Sequence, residues 1–466
     1  MRIHLSAICG TAMGSLAGLL QARGHTLTGS DQDVYPPMSD QLAAMGIPIR
    51  SPYAEANVPA DADLVVLGNA LSRGNPEVEV VLDRKQRLSS MPALLAEEFL
   101  RERTSLVVAG THGKTTTTSV LAHLLMQGGK DPSFLVGGVP ADFDRSWRLG
   151  GGEHFVVEGD EYDSAFFDKR PKFVHYRPDL AVLGNVEFDH ADIYPDLAAV
   201  KLAFFRLLQV VPRRGLLLAG SDNPGVRELL PSAPCRVETF GLDEGAEWRA
   251  VDAAPAAGGW SFRLLRAGRD LGAFTMPLPG EHNVRNSLGA LAAAVAAGVD
   301  LEAARAALLA FRGVKRRLEV RGVVAGVTVY DDFAHHPTAV RETLRTLRRS
   351  VGEGRLLAVF EPRSYTSRTR VFQQDFAEAL ALADQAVVAA AHLPGKVPPD
   401  QRVSEGDLVR SIEASGGHGR LIGSVAEIVS ALAAEARAGD QVVVLSNGGF
   451  GGIHEKLLQA LAARPR

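Results

Sequence analysis

Short apolar runs that end in glycine or acidic residues recur along the chain, and each gives way to a stretch with helical spacing. Residues 2–6 read as a strand, 7–14 as a turn of small residues, 13–23 as a helix and 25–29 as the next strand. A further strand at 63–68 ends in Asn69-Ala-Leu-Ser72, and a helix is predicted near 92–98. The apolar run after Ser105 predicts a buried parallel strand, followed by a glycine turn and a helix opening at Lys114 and running to about Met126. Strands follow near 155–158, 180–184 and 215–220. Residues 236–278 then alternate polar and apolar positions between glycine-rich turns, which predicts a small antiparallel excursion. An alanine-rich helix starts in Gly280-Glu-His-Asn283-Val-Arg-Asn286 and runs to about Ala297. Beyond Val314 come a hairpin at 319–329, strands at 356–360, 386–390 and 441–446, and a final helix after a glycine-rich turn.

Strands alternating with helices in this way predict an α/β protein of three domains. The expected divisions are 1–103, 104–313 and 314–466, with the charged Arg101-Glu-Arg103 as a linker. The outer domains read as Rossmann-like, and the middle one as a phosphate-loop parallel sheet carrying the antiparallel excursion.

The chemistry gathers at strand ends. Gly110-Thr-His-Gly-Lys-Thr-Thr116 lies between strand and helix, where backbone N–H groups and a lysine meet phosphates and a hydroxyl meets Mg²⁺. Its glycines are closer together than in the common G-x-x-x-x-G-K-[ST] loop. Two further strands empty into carboxylates, Glu158-Gly-Asp-Glu-Tyr-Asp163 and Asn185-Val-Glu-Phe-Asp-His190, as suits a magnesium-nucleotide site. Asp31, about 20 residues after the first glycine turn, fits a carboxylate that holds a ribose or other diol. Asn283 and Asn286 fit either a helix N-terminus or an adenine edge.

Composition narrows the class without fixing it. At 466 residues and 46% hydrophobic, the chain can bury several cores. A net charge of −4 with no basic block argues against nucleic acid or an anionic membrane as partner, and two cysteines exclude a disulfide framework. Residues 7–20 imitate a signal-peptide core, but Gly10, Thr11, Gly14 and Gly18 suit a βαβ turn and helix, so a cytoplasmic location is expected. A nicotinamide-dependent dehydrogenase would leave Lys114, Glu158 and His190 unexplained. A non-enzymatic nucleotide sensor would leave the carboxylates so.

These motifs, with His282-Asn-Val-Arg-Asn286, Lys315-Arg-Arg317 and Asp331-Asp-Phe-Ala-His-His-Pro337, resemble the Mur ligases in order and over nearly the whole chain. The shortened phosphate loop is that family's form. The resemblance implies a cytoplasmic ligase using ATP and two Mg²⁺ ions, with UDP-N-acetylmuramate as one substrate. Gly110, Thr111, His112, Gly113, Lys114, Thr115 and Thr116 would hold ATP together with His282, Asn283, Asn286, Arg317 and Asp332. Lys114, Glu158, His190 and Arg317 would be catalytic, and Thr115, Glu158 and His190 would ligate the metal. Gly10, Thr11, Gly14, Asp31, Asn69 and Ser72 would hold the UDP group, and His335, His336, Arg363 and Arg368 the peptide side. Lys201 is the one candidate for the carbamylated lysine of some relatives, and its spacing from His190 leaves it unassigned.

Within the family, 331–337 and the first turn resemble members that add L-alanine. Residues 8–11, 33–39, 158–167, 172–178 and 447–454 resemble those that add a whole murein tripeptide, which is the preferred acceptor. Monomer or weak dimer is left open.

Overall fold

The computed structural model describes residues 1–34, 38–393 and 397–464, so Tyr35, Pro36 and Pro37 of the stretch 33–39 lie outside the described residues. The chain forms two compact units. One comprises Met1–Glu187, Ala198–Leu278 and Asn283–Gly313; the other comprises Phe188–Leu197, Pro279–His282 and Val314–Arg466.

The first unit holds a parallel five-stranded sheet, a mixed ten-stranded sheet and the small antiparallel hairpin Asp163–Ala165 with Asp168–Pro171. The five-stranded sheet, the smaller of the two main ones, has the order Ile49–Arg50, Thr26–Ser30, Arg2–Ser6, Leu64–Leu67, Leu88–Ser90. Leu64–Leu67 is buried at every position, as befits a strand covered on both faces. Short strands at 49–50 and 88–90 were not legible as strands, because two or three residues carry no period. The helix Thr11–Ala22 packs beside this sheet with no side-chain cap at Gly10. At Gly18 an added Cβ would stand 2.0 Å from Trp147 Cε2, so glycine there lets the indole lie against the helix. Ser15 and Ser146 hydroxyls meet at 2.7 Å on the same side.

The larger sheet runs Arg269–Met276, Gly259–Arg266, Trp248–Ala256, Arg236–Gly241, Leu216–Gly220, Leu180–Leu183, Thr104–Ala109, His154–Gly159, Ser133–Leu135, Trp147–Arg148. Its central strands bury Leu106, Val107, Val156, Ala181 and Val182. A leucine or valine buried this completely is worth about 1.5–3 kcal/mol. The excursion begins later than its polar–apolar alternation suggests. Arg236–Gly241 pairs parallel with Leu216–Gly220, and only the three strands after it pair antiparallel with one another. Alternation reports one-sided burial, which either pairing permits. Nor is 101–103 a loose linker. Arg103 donates to Gly150 O through both Nη atoms, at 3.0 Å each, and to Gly152 O at 3.2 Å.

The second unit is a sheet in the order Glu319–Val324, Val327–Asp332, Gln441–Leu445, Leu356–Phe360, Gln385–Val388, Gly419–Leu421. Its strands pair parallel except for the opening hairpin. One face packs Val340, Leu344 and Phe376; the other packs Ile428, Leu432 and Leu457. Among the described residues, no helix is long and apolar enough to cross a membrane.

Candidate active site

The strand Thr104–Ala109 delivers the chain into the loop that sequence singled out, and the helix Lys114–Gln127 leaves it. Gly110 (φ +143°) and Gly113 (φ +78°) adopt backbone conformations that L side chains rarely take. The loop is braced from the neighbouring strand end. Asn185 Oδ1 accepts from His112 N–H (2.7 Å), Asn185 Nδ2 donates to His112 O (3.1 Å), and Glu187 N–H donates to Thr111 Oγ1 (2.8 Å). His112 Nε2 lies 3.2 Å from Glu187 Oε2.

Lys114 folds over its own loop. Its Nζ donates to Gly110 O (2.7 Å) and Thr111 O (3.1 Å) and pairs with Glu161 Oε2 at 2.8 Å. Burial works against the ammonium, but the charges of Glu161, Asp160 and Glu158 outweigh it and raise its pKa. Thr115 Oγ1 donates to Glu158 Oε1 (3.0 Å), and Glu158 Oε2 accepts the Gly137 N–H (2.7 Å). A hydroxyl and a carboxylate held together beside a phosphate loop are hard oxygen donors of the kind Mg²⁺ takes.

Asn283 and Asn286 stand one helical turn apart, with Asn286 Nδ2 donating to Asn283 Oδ1 at 3.1 Å. An added Cβ on Gly113 would fall 2.3 Å from Asn286 Oδ1, so this carboxamide rests on the phosphate loop itself. The structure thus brings together 110–116, Glu158, Asn283 and Asn286 in the first unit. Glu161 and Asn185 belong to the same cluster. Sequence reasoning assigned them no role, although both lie inside motifs it had marked.

Apart from this cluster, a cavity of about 380 Å³ opens at the carboxyl ends of the smaller sheet. Gly10, Thr11, Asp31 and Asn69 line it, as do Tyr53, Ser164 and Lys172. Gly14 and Ser72, also assigned to this site, are not among the lining residues. Gly14 instead gives room to Met38, whose Cε would lie 2.2 Å from an added Cβ. Asp31 Oδ2 accepts the Cys9 N–H (2.8 Å) and Oδ1 the Tyr53 hydroxyl (3.1 Å). Burial and the nearby Asp31 charge push the Cys9 thiol up to about 11 and raise Tyr53 as well.

Glu77 is fully buried in the first turn of the helix Pro76–Asp83. Ser6 Oγ donates to its Oε2 (2.6 Å) and Asn57 Nδ2 to its Oε1 (2.9 Å), with Ser30 Oγ also on Oε2. Burial opposes its charge, but hydrogen bonds from His4, Ser30, Ser6 and Asn57 outweigh that and hold the carboxyl at about 2. The folded value lies below the ordinary 4.5, so the stabilisation is full above 4.5 and is lost as pH falls toward 2. Glu77→Gln should lower the urea midpoint at pH 7. The gap to the native protein should close between pH 4.5 and 2, and a gap constant with pH would contradict the assignment.

The second unit carries the remaining predicted residues. His190 takes a left-handed backbone (φ +56°), and its N–H donates to Asp189 Oδ1 (2.6 Å), which also accepts from Thr366 Oγ1 (2.9 Å). His282 Nδ1 lies 3.9 Å from Glu342 Oε2. The Arg317 guanidinium stacks 5.0 Å from the Phe333 ring centroid. Asp332 is buried, and its carboxylate accepts from Leu318 N–H (2.7 Å), Ala334 N–H (2.9 Å) and Thr343 Oγ1 (3.3 Å). Burial raises its pKa against the pull of Arg317. His335 Nδ1 lies 2.9 Å from Phe333 O, and His336 caps the helix Pro337–Arg348. Arg368 donates to Ser364 O, His392 O and Leu393 O, which fixes it as a loop clamp. Arg363 lies against Gly448, where an added Cβ would meet its Nε at 2.0 Å. Lys201, by contrast, belongs to the first unit, where it pairs with Glu228 at 2.6 Å.

A phosphate loop with adjacent oxygen donors, together with a separate cavity at the strand ends of the smaller sheet, suits an enzyme that binds a nucleoside triphosphate and a further substrate. The Mur ligase family catalytic domain matches residues 2–103, the Mur ligase middle domain 108–294, and the Mur ligase glutamate ligase domain 316–448. The chain belongs to the Mur ligase family of ATP-dependent amide-bond ligases.

It is 43% identical over 466 residues to the UDP-N-acetylmuramate–L-alanyl-γ-D-glutamyl-meso-2,6-diaminoheptandioate ligase of Escherichia coli strain K12, covering 100% of this chain and 99% of that protein. The UDP-N-acetylmuramate–L-alanine ligase of Salinispora arenicola is 37% identical over 468 residues, covering 99% of this chain and 89% of that one. The crystal structure of a murein peptide ligase from Psychrobacter arcticus 273-4 superposes with a TM-score of 0.75 at 38% identity, over 100% of both chains.

Proposed function

We propose that the protein joins the lactyl carboxylate of UDP-N-acetylmuramate to the N-terminal amine of L-Ala-γ-D-Glu-meso-diaminopimelate, with ATP cleaved to ADP and phosphate. The observation that carries this reading is the likeness to the diaminoheptandioate ligase, which runs through the whole chain and exceeds that to the L-alanine ligases.

A carboxylate is a poor electrophile. It attacks the γ-phosphorus, ADP departs, and the resulting acyl phosphate presents a carbonyl carbon that the peptide amine can attack. The tetrahedral intermediate expels phosphate, which carries away one of the original carboxylate oxygens. Both steps gather negative charge on oxygen, so fixed cations and N–H donors supply most of the acceleration.

Lys114 and the N–H groups of 110–116 hold the ATP phosphates, and Asn283 and Asn286 the nucleotide. Thr115 and Glu158 hold Mg²⁺, which when bound neutralises the phosphate oxygens. A second ion is assigned to His190. Residues 1–103 provide the UDP site through Gly10, Thr11, Asp31 and Asn69. Arg317 serves the γ-phosphate, and Arg363, with His335 and His336, serves the peptide. Asp332 and Arg368 shape their loops, since backbone groups of those loops occupy their side chains.

Arg317→Ala should lower kcat by about 10²–10³, the loss typical of one donor to a developing oxyanion. Binding of UDP-N-acetylmuramate without ATP should change little by calorimetry, and equal loss of both would remove Arg317 from the phosphate site. For the reaction itself, UDP-N-acetylmuramate labelled with ¹⁸O in the lactyl carboxylate should yield phosphate bearing one ¹⁸O. Unlabelled phosphate, with amide formed, would rule out the acyl phosphate.

A further inference from the structure

The cavity at the smaller sheet must accept an anionic ligand, yet its lining includes the carboxylates Asp31 and Asp33. Lys172 is the one cation among the described lining residues. It comes not from the smaller sheet but from the short helical turn Lys172–His175, reached from the strand His154–Gly159 through the hairpin Asp163–Ala165 and Asp168–Pro171. The residue is 8% exposed, its Nζ donates to Asp160 Oδ2 at 2.5 Å, and the ammonium lies 5.7 Å from the Tyr162 ring centroid.

Asp160 and Glu161 are neighbours in sequence, and each faces a different lysine. Glu161 pairs with Lys114 of the phosphate loop, and Asp160 with Lys172 of the cavity. One acidic dipeptide therefore joins the two cations, which ties Lys172 of the cavity lining to the phosphate loop. A nucleotide sugar bound with its uridine at Asp31 must send its reacting end toward that loop.

We infer that Lys172 binds the lactyl carboxylate of UDP-N-acetylmuramate and orients it for phosphoryl transfer, an assignment that rests on the function proposed above. Two anions, carboxylate and γ-phosphate, must approach within bonding distance, and a lysine on each offsets their repulsion. On binding, the substrate carboxylate takes the place of Asp160 on the Lys172 ammonium. The diphosphate is left to the N–H groups around Gly10 and Thr11 at the start of the helix Thr11–Ala22, where the backbone dipoles favour an anion.

The test compares UDP-N-acetylmuramate with UDP-N-acetylglucosamine, which has the same nucleotide and hexose without the lactyl group. Calorimetry on native protein, Lys172→Gln and Lys172→Arg would read the affinity of each. Native protein should prefer the muramate, and Lys172→Gln should weaken it about 10–100-fold while leaving the glucosamine nucleotide unchanged. Lys172→Arg, which keeps the charge, should recover part of the loss and show that the site is folded. Equal weakening of both nucleotides would place Lys172 on the diphosphate, and no change in either would make it structural; both overturn the inference. Native protein that binds neither nucleotide would overturn the proposed function instead.

Discussion

Lys114→Ala should reduce phosphate release by about 10³-fold or more, because catalysis of phosphoryl transfer consists largely of fixed positive charge around the transferring group. The ammonium is already in place, held over the loop by Gly110 O and Thr111 O and kept charged by the acidic residues around it. Its removal also takes away the cation that faces Glu161, a side chain only 2% exposed, so the variant should unfold at lower temperature. That cost must be separated from the chemistry. In Lys114→Met combined with Glu161→Gln, both charges are gone, and the melting temperature should recover toward the native value. Turnover should not recover. Activity returning with stability would mean that Lys114 supports the fold rather than the reaction.

Glu158→Gln should cost at least about 10²-fold in kcat and raise the Mg²⁺ concentration needed for half-maximal rate. A metal ligand that loses its charge binds a hard divalent cation far less well. The amide is nearly the same size, and its oxygen can still accept the Gly137 N–H that Glu158 now holds, so little structural change is expected. A variant with an unaltered Mg²⁺ requirement would remove Glu158 from the metal site and leave it as a brace for Thr115.

The catalytic loop was legible because its constraints are local. A buried parallel strand, two glycines at positive φ and a lysine at a helix start must follow one another in sequence. The long apolar strands were legible for the same reason. What sequence concealed depends on contacts between distant segments. Glu161 and Asp160 read simply as acidic residues in a motif; only folding assigns one to Lys114 and the other to Lys172. Lys172 itself sits in a charged stretch, Asp168-Lys-Arg-Pro-Lys172, which patterning cannot tell from a solvated turn. Nothing in the sequence marked Glu77, because Ser6, Ser30 and Asn57, which converge on it, come from distant segments. Gly14 was assigned to the nucleotide group by resemblance, and the room its missing side chain leaves for Met38 could not be read from the sequence. Arg103 resembled linker charge and proved to be pinned by carbonyls some fifty residues further on.

The acceptor tests the account most directly. Phosphate release would be followed with ATP, Mg²⁺ and UDP-N-acetylmuramate, supplying either L-alanine or L-Ala-γ-D-Glu-meso-diaminopimelate. Turnover with the tripeptide and scarcely any with L-alanine is the predicted result. A preference for L-alanine would contradict the proposed acceptor while leaving the phosphate loop and metal site as described.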